Sequence, residues 1–600
     1  MPNPLATKDR AALTLARQAI SACQGHLWVA LFISLLINVL MLVPPLYMLQ
    51  IYDRVLPSQN IETLLMLSLI CIGLLAALGV FEWLRSKILS RAALRFDQTL
   101  SRPVVNAAFS SRLARRDELH GTAVQDLDTV RQFIQGRGII TLFDAPWIPI
   151  FLFTVFLIDP WLGWVATGGT LALLALAALT EVISRGPLQR SQTANVKARR
   201  LLDGQLAQAE VIQAMGMKAK VAAIWGRIHS RGLTEAEEAL ERISGVNACS
   251  RSLRIILQSG VLGVGAYAAI EGRITPGMMI AASILVGRAM APMELLIGHW
   301  RGLRQTQSAW RRVDHLLRLH PQPTFSTRLP RPEGDLRIEQ LAVSPPGSQK
   351  IVLQNVNLTV PKGAIVAITG SSGSGKSTLL RAIAGVWPLR AGKIRVDGNE
   401  ISHFDPSDRG SWIGYLPQDI ELIEGTVADN ISRFTESTSE RVLQAARDAG
   451  AHQMIQNLPR GYDTEVGPNG EDLSGGQRQL IGLARALFGH PSLVILDEPD
   501  SNLDESGDKA LVSALSGCRQ RKTTVLIVSH RPRILDQVDH VIRIDNLDGR
   551  RSVADQPEAK QGSPVLPERV AASPIVAPST PNELGTAGLL KPYSATGPEA

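Results

Sequence analysis

The sequence predicts two fold classes in one chain: an all-α membrane domain of six spanning helices, then an α/β domain with a phosphate-binding loop. Three observations predict it. The apolar residues, 45% of the 600, are segregated: apolar runs crowd the first half, and charged, Gly-rich sequence fills the second. Six of those runs are each near the ~20 residues a helix needs to cross a bilayer. In the second half, a buried-strand pattern leads through a Gly-rich loop into a helical pattern. The chain is also too long for one core and suggests roughly two to four domains.

The six apolar runs extend from Leu27 to Leu49, Ile61 to Leu84, Ile139 to Ile158, Trp161 to Ile183, Ile255 to Ile270 and Pro276 to Ile297. The fifth is short and Gly-rich, and the third carries Asp144 and two prolines; both are weaker patterns. The connections after runs one, three and five are short: Gln50–Asn60, Asp159–Pro160 and Glu271–Thr275. Those after runs two and four are long and basic. The stretch from Arg85 to Gly138 holds ten arginines and lysines, Arg91, Arg95, Arg102 and Arg131 among them. Positive charge stays on the cytoplasmic side, so both termini are expected there, in agreement with Lys8, Arg10 and Arg17. The long connections contain good helix formers and few prolines, Leu201–Gly216 for example, so the membrane helices are expected to extend far into the cytoplasm. Two small cytoplasmic inserts are the alternative. Arg288, within the sixth run, reads either as lining an aqueous path or as snorkelling or pairing with Glu294.

The formal net charge of +8 does not indicate nucleic acid, because the cations cluster between apolar runs as cytoplasmic membrane loops require. Cys23, Cys71, Cys249 and Cys518 are scattered without metal spacing and are expected to be reduced. No cleavable signal peptide is expected, since the N-terminus is polar for about 25 residues and the first apolar run is too long.

Boundaries follow from composition: a cytoplasmic N-terminal segment at 1–26, the membrane domain at 27–316, a Pro-rich linker at 317–335, a nucleotide-binding domain at 336–545 and a tail at 546–600. The tail is rich in Pro, Ala, Ser and Gly and is expected to be disordered.

The nucleotide-binding domain carries the chemistry. Ala364–Thr369 reads as a buried strand. It leads into Gly370, Ser371, Ser372, Gly373, Ser374, Gly375, Lys376 and Ser377, which fit GxxxxGK[ST], with Thr378 opening a helical pattern. The glycines let backbone N–H groups converge on phosphate oxygens, and the helix N-terminus adds positive potential. Lys376 should reach the β and γ phosphates of ATP, and Ser377 should ligate Mg²⁺. Leu493–Leu496 is a second buried strand ending in Asp497 and Glu498, where doubly wound sheets bind ligands. Asp497 is placed to hold Mg²⁺ and Glu498 to act as base for the attacking water. A third run, Thr524–Ser529, ends in His530, which reads as a γ-phosphate or water contact, or as structural. Ser474, Gly475, Gly476 and Gln477 precede an Ala- and Leu-rich helical pattern; they read as a second phosphate clamp, or as a plain turn.

These motifs resemble the ATP-binding cassette family, whose own signature is the LSGGQ stretch Leu473–Gln477. Walker A (Gly370–Thr378), the Q-loop glutamine Gln418, the signature, Walker B (Leu493–Glu498), the D-loop (Ser501–Asp504) and the switch histidine His530 occur in family order. With the six runs, the resemblance spans about residues 20 to 545. It implies an exporter-type half-transporter that hydrolyses ATP, with Gln418 also among the Mg²⁺ ligands. It further implies a homodimer in which each ATP lies between one chain's Walker A and the other's signature. Met48–Ser58, Phe143–Phe151, Ile212–Met217 and Glu498–Asp504 resemble the type I secretion ATPases, in particular the branch exporting proteases, lipases and S-layer proteins. That implies a multi-pass protein of the bacterial inner membrane, surrounded by lipid, with its cassette in the cytoplasm. Its implied partners are a secreted protein, a periplasmic adaptor and an outer-membrane channel. A peptidase domain of the kind bacteriocin exporters carry is not expected before the first run, in keeping with that branch. Two competing readings remain: an exporter of lipids or small amphiphiles, and a nucleotide-gated channel or scaffold without turnover, against which Glu498 and His530 argue.

Two departures from the family pattern stand out. Leu341–Lys350 has no aromatic residue where most exporters stack one on adenine. Pro468 stands where many exporters have a Glu before the signature.

Overall fold

The structure, a computed structural model, describes residues 4–114, 122–321, 329–348, 350–467, 470, 472–547 and 550–556. Among the described residues six helices are long and apolar enough to cross a membrane, and the fifth is the least apolar of them. The main helices are α1 (Pro4–Leu40), α2 (Ile61–Ala114), α3 (Ile148–Ile158), α4 (Pro160–Leu206), α5 (Lys218–Ile270), α6 (Pro276–Gly298) and α7 (Trp300–Leu319). At 54, 47 and 53 residues, α2, α4 and α5 run about 70–80 Å. A hydrocarbon core is ~30 Å thick. The excess extends beyond the membrane, as the helix formers in the connections predicted.

Each membrane element has a local reason. The third span is a helix over Arg137–Asp144, one 3₁₀ turn over Ala145–Trp147 and then α3. Pro146 and Pro149 lack an N–H, which breaks the regular helical ladder there. Asp144 is not left bare: Arg85 donates to it at 2.8 Å and Asn38 at 3.2 Å, and Arg85 also donates to Ser34 at 2.9 Å. Asp159 caps α4 by accepting from the N–H groups of Trp161 and Leu162. The connection after the first span carries a π-helical turn over Ile51–Val55. From it Asp53 accepts from Thr275 Oγ1 and, at 2.9 Å, from the Gly277 N–H at the start of α6. Glu294 pairs with Arg254 and, at 3.8 Å, with Arg251 rather than with Arg288, which is exposed and lies 3.9 Å from Met41 Sδ. The pairing alternative for Arg288 is therefore corrected: Glu294 has its cations on α5.

Two elements cross the boundaries read from composition. Helix α1 begins at Pro4, so the N-terminal segment and the first span form one helix from that residue on. Past 545, an antiparallel hairpin continues to Gln556, so the expected disordered tail opens with a strand; residues 557–600 lie outside the described residues, as does Pro468. The far end of the linker packs on the nucleotide-binding domain: Arg331 donates to the His490 carbonyl at 2.5 Å, and Glu333 pairs with Lys362 at 2.5 Å.

The nucleotide-binding domain contains twelve strands among the described residues: β1 (Leu336–Val343), β2 (Leu353–Val360), β3 (Ile365–Thr369), β4 (Leu389–Val396), β5 (Asn399–Glu400), β6 (Ile413–Leu416), β7 (Gly425–Thr426), β8 (Glu465–Val466), β9 (Leu493–Asp497), β10 (Thr524–Val528), β11 (His540–Leu547) and β12 (Arg550–Gln556). The main sheet has the order β12-β11-β3-β10-β9-β6. All its pairings are parallel except β11–β12. An antiparallel sheet, β2-β1-β4-β5, lies alongside, and β7 pairs with β8. Strands β3, β9 and β10 are apolar at nearly every position because both faces are covered. Side chains alternate between two cores. Ile365, Val494, Leu496, Val525 and Ile527 enter one; Val366, Leu493, Ile495, Leu526 and Val528 enter the other. Val528 pairs in register with both Ile368 and Asp497, so β3, β10 and β9 deliver their C-terminal ends side by side.

Candidate active site

The phosphate loop leaves that edge. After β3, Gly370, Gly373 and Gly375 take φ of +146°, +74° and +105°, conformations that an L side chain adopts only with strain. Gly370 is tight as well: a Cβ there would lie 2.5 Å from the Ile544 carbonyl. The loop ends at α8 (Lys376–Ile383), whose first residue, Lys376, is buried and donates to the carbonyls of Gly370 and Ser371 at 2.8 and 3.2 Å. The lysine therefore stands inside the loop that Ser371, Ser372, Gly373 and Ser374 form.

Ser377 and Asp497 meet across the strand ends, with Ser377 Oγ donating to Asp497 Oδ1 at 3.1 Å. Asp497 is fully buried, and its Oδ2 has no hydrogen-bond partner. Burial pushes its carboxyl above the usual carboxylate range, aided by the neighbouring Glu498 charge; the Ser377 hydrogen bond, Arg381 and Lys376 pull the other way. A hydroxyl and a buried carboxylate oxygen with an unused lone pair are hard donors that fit Mg²⁺. Among the described residues no cluster of three or more His, Cys, Asp or Glu side chains suits a metal. The remaining oxygens would come from nucleotide phosphates and water.

Glu498 follows at φ +49°, the left-handed region that costs a residue with a Cβ on the order of 1–3 kcal/mol. Its N–H donates to the Val528 carbonyl at 3.1 Å and its carbonyl accepts from Ser501 at 3.2 Å. These bonds turn the carboxylate out of the strand. Gln418 Nε2 donates to Glu498 Oε2 at 2.9 Å. The structure thus brings together Gln418, Glu498, Asp497, Ser377 and Lys376. His530 stands exposed just past β10, beyond Ser529, with no hydrogen bond to Glu498 among the described residues.

The signature segment forms a cap of its own. Ser474 precedes α9 (Gly475–Leu487), accepts from the Gln477 N–H at 3.3 Å and donates its own N–H to Gln477 Oε1 at 2.9 Å. That reciprocal pair is a capping box, which leaves the N–H groups of Gly475 and Gly476 at the helix start to face an anion. The hydrogen bonds of Ser474 and Gln477 stay within this segment among the described residues.

Sequence reasoning missed Gln479. It is 1% exposed, and its Nε2 donates to the Pro499 carbonyl at 2.7 Å and the Glu498 carbonyl at 3.4 Å. It ties the signature helix to the turn that carries the candidate base. A polar residue on the otherwise apolar face of α9 was its only signal. A second missed group flanks His530 in sequence: buried Ser529 donates to buried Asp500 at 2.8 Å, and half-buried Arg531 pairs with Asp500 and Asp508. Where most exporters carry the adenine aromatic, Ser344 accepts from Arg390 Nε at 2.7 Å, and Arg390 also donates to the Ser348 carbonyl at 3.0 Å.

Comparisons with known proteins cover both halves. Residues 353–501 match the family model for the ABC transporter, and residues 27–293 match that for the ABC transporter transmembrane region. The chain is 41% identical over 539 residues to the type I secretion system ATP-binding protein PrsD of Rhizobium meliloti, covering 90% of this chain and 92% of that protein. It is 28% identical over 526 residues to the cyclolysin secretion/processing ATP-binding protein CyaB of Bordetella pertussis, covering 85% of this chain and 73% of that one. With the alpha-hemolysin translocation ATP-binding protein HlyB of Escherichia coli O157:H7 it shares 28% identity over 528 residues, 86% of this chain and 74% of that one. In fold it is similar to a bacterial Atm1-family ABC exporter solved with ATP bound, with a TM-score of 0.75, 20% identity and coverage of 88% of this chain and 94% of that one.

Proposed function

The chain belongs to the ABC transporter family, and from that premise we propose that it exports an unfolded protein, as the ATP-hydrolysing membrane component of a type I secretion system. The single observation that carries this reading is the 41% identity to a type I secretion ATP-binding protein across 90% of the chain. That match spans the membrane half as well as the ATPase, and the membrane half is what meets cargo. Lipid or small-amphiphile export, the alternative from sequence, has no such support.

Hydrolysis follows from the strand-end geometry. The loop N–H groups and Lys376 bind the β and γ phosphates of ATP and orient the γ phosphorus. Glu498 takes a proton from a water whose oxygen forms the new bond to that phosphorus, while the bond to the β–γ bridging oxygen breaks and ADP leaves. Gln418, bonded to Glu498, orients the carboxylate. Ser377, Asp497 and Gln418 would hold Mg²⁺, which supplies charge neutralisation between the two phosphates. His530 takes the γ-phosphate side of the site. The Ser474–Gln477 cap is proposed to close on the γ phosphate of the partner chain's nucleotide in a homodimer.

The setting is the bacterial inner membrane, with both termini and the cassette in the cytoplasm. The outer connections are short, Asp159–Pro160 being two residues. A periplasmic adaptor and an outer-membrane channel are therefore the proposed partners for crossing the rest of the envelope. The test is the ATPase rate of the reconstituted protein while C-terminal fragments of candidate cargo are titrated against lipids and small amphiphiles. Stimulation by a cargo fragment is expected; a response to amphiphiles alone would favour the alternative.

A further inference from the structure

The geometry points to a cationic cavity between the cytoplasmic extensions of α4 and α7 as the docking site for an extended, acidic segment of the cargo about seven residues long. This inference rests on the protein-export reading and adds where cargo is recognised and by what chemistry.

The cavity has a volume of about 910 Å³, with Arg185, Lys197 and Arg200 of α4 and Arg304, Arg311 and Arg312 of α7 among its lining residues. Among the described residues no carboxylate lines it. Arg312 and Arg304 are matched by carboxylates from outside the cavity. Asp126 accepts from Arg312 at 2.8 and 2.5 Å, and Glu181 accepts from Arg304 at 2.6 Å. Arg185, Lys197 and Arg311 have no carboxylate partner among the described residues. Like charges in one concave space repel each other and raise the local potential, which attracts an anion. The effect registers on Arg304, whose guanidinium is held below its ordinary range by burial and then by the Arg311 charge.

The arrangement of the cations selects a peptide. Arg185, Gln189, Gln192, Val196 and Arg200 recur at helical spacing on one face of α4, and Arg304 and Arg311 lie two turns apart on α7. From Arg185 to Arg200 is fifteen residues of one helix, or about 22 Å. A lipid headgroup layer is only about 5–8 Å deep on each side of a bilayer. The apolar run of α4 ends at Ile183, so Lys197 and Arg200 lie well below any headgroup. An extended chain at ~3.3 Å per residue covers the same track in about seven residues. Among the described residues the lining has no aromatic side chain on which a base would stack, which disfavours single-stranded nucleic acid.

The test uses the full-length protein in nanodiscs of zwitterionic phosphatidylcholine. The readout is the fluorescence anisotropy of a labelled hepta-glutamate peptide against its hepta-glutamine counterpart. Glutamate is expected to bind at least about tenfold more tightly, and the gap should close as salt is raised. The double variant Lys197→Glu with Arg311→Glu should remove the preference. The charge-conserving pair Lys197→Arg with Arg311→Lys should keep it. Equal binding of the two peptides to the unmodified protein overturns the inference, and so does a preference that survives double reversal. In a second set of nanodiscs doped with phosphatidylglycerol, a reversal that alters only retention of that lipid and leaves the peptide preference unchanged also overturns it and assigns the cavity to lipid. If deletion of the gene removes secreted proteins while no glutamate preference exists, the cavity assignment fails and protein export stands.

Discussion

The amide of Gln418 donates to the carboxylate of Glu498 at 2.9 Å, although eighty residues separate the two in sequence. Gln418 follows β6 and Glu498 follows β9, and the two strands are adjacent and parallel. The loop after β6 is thereby tied to the candidate base, so a movement of that loop would turn the carboxylate. Replacing Glu498 by Gln should retain Mg-ATP binding, because the phosphate loop is untouched, and lower turnover by about 10²–10⁴-fold. Lys376→Ala should weaken nucleotide binding instead. Equilibrium nucleotide binding and single-turnover hydrolysis separate the two effects. Wild-type hydrolysis in Glu498→Gln would show that another group is the base.

Gln479 should behave as a positioning residue. Its truncation to Ala leaves the Pro499 carbonyl without its buried donor and the Glu498 carbonyl with the Ser501 N–H alone, at a cost of about 1–3 kcal/mol. The turn carrying Glu498 would loosen, so kcat is expected to fall about tenfold or more while ATP affinity holds. Gln479→Glu, which keeps the side chain's length and supplies no N–H donor when ionised, should not rescue it. A drop in KM-linked affinity with kcat unchanged would argue against positioning.

The raised carboxyl of Asp497 gives a signed pH dependence. Its folded-state value lies above its unfolded one, so between the two the native state binds more protons and stability falls as pH rises. At neutral pH the buried charge is a destabilising element. Asp497→Asn should therefore raise the melting temperature without nucleotide by a few degrees, for about 1 kcal/mol. It should also blunt the further stabilisation that Mg-ATP gives the unmodified protein. Thermal scans at acidic and neutral pH, with and without Mg-ATP, read both effects; the gain should shrink toward acid pH.

Much of this site was legible because its motifs are local. Strand, Gly-rich loop and helix fall within about twenty contiguous residues, and the alternation of Ile365, Val366, Ala367 and Ile368 between two cores is a short-range pattern. What was not legible depends on distant partners or on backbone conformation. The left-handed φ of Glu498 has no residue-type signal, since Glu does not favour it. Asp144 read as a weakness of the third span, and its Arg85 partner lies 59 residues away. Glu294 offered Arg288 as a near neighbour in sequence, whereas its cation is Arg254, 40 residues away on another helix. Gln479 is one polar residue in an amphipathic helix until its carbonyl partners are known.

Composite sites make a further prediction. If each ATP is clamped by Lys376 of one chain and Ser474 of the other, Lys376→Ala and Ser474→Arg chains should each be inactive as homodimers. Mixed, they should regain activity, because half of the chains' pairings hold one intact site. Activity is expected to peak near equal mixing and to vanish at either extreme. A mixture inactive at every ratio would point to sites that do not share residues between chains.

The central claim is that ATP hydrolysis by this chain drives a protein out of the cell. The measurement that tests it most directly is a mass-spectrometric comparison of the proteins secreted by the wild-type strain, a strain lacking this gene, and that strain complemented with either the wild-type or the Glu498→Gln gene. The account predicts that one or a few proteins disappear from the medium on deletion, return with the wild-type gene, and stay absent with Glu498→Gln. A secreted proteome unchanged by deletion, or equally restored by Glu498→Gln, would contradict it.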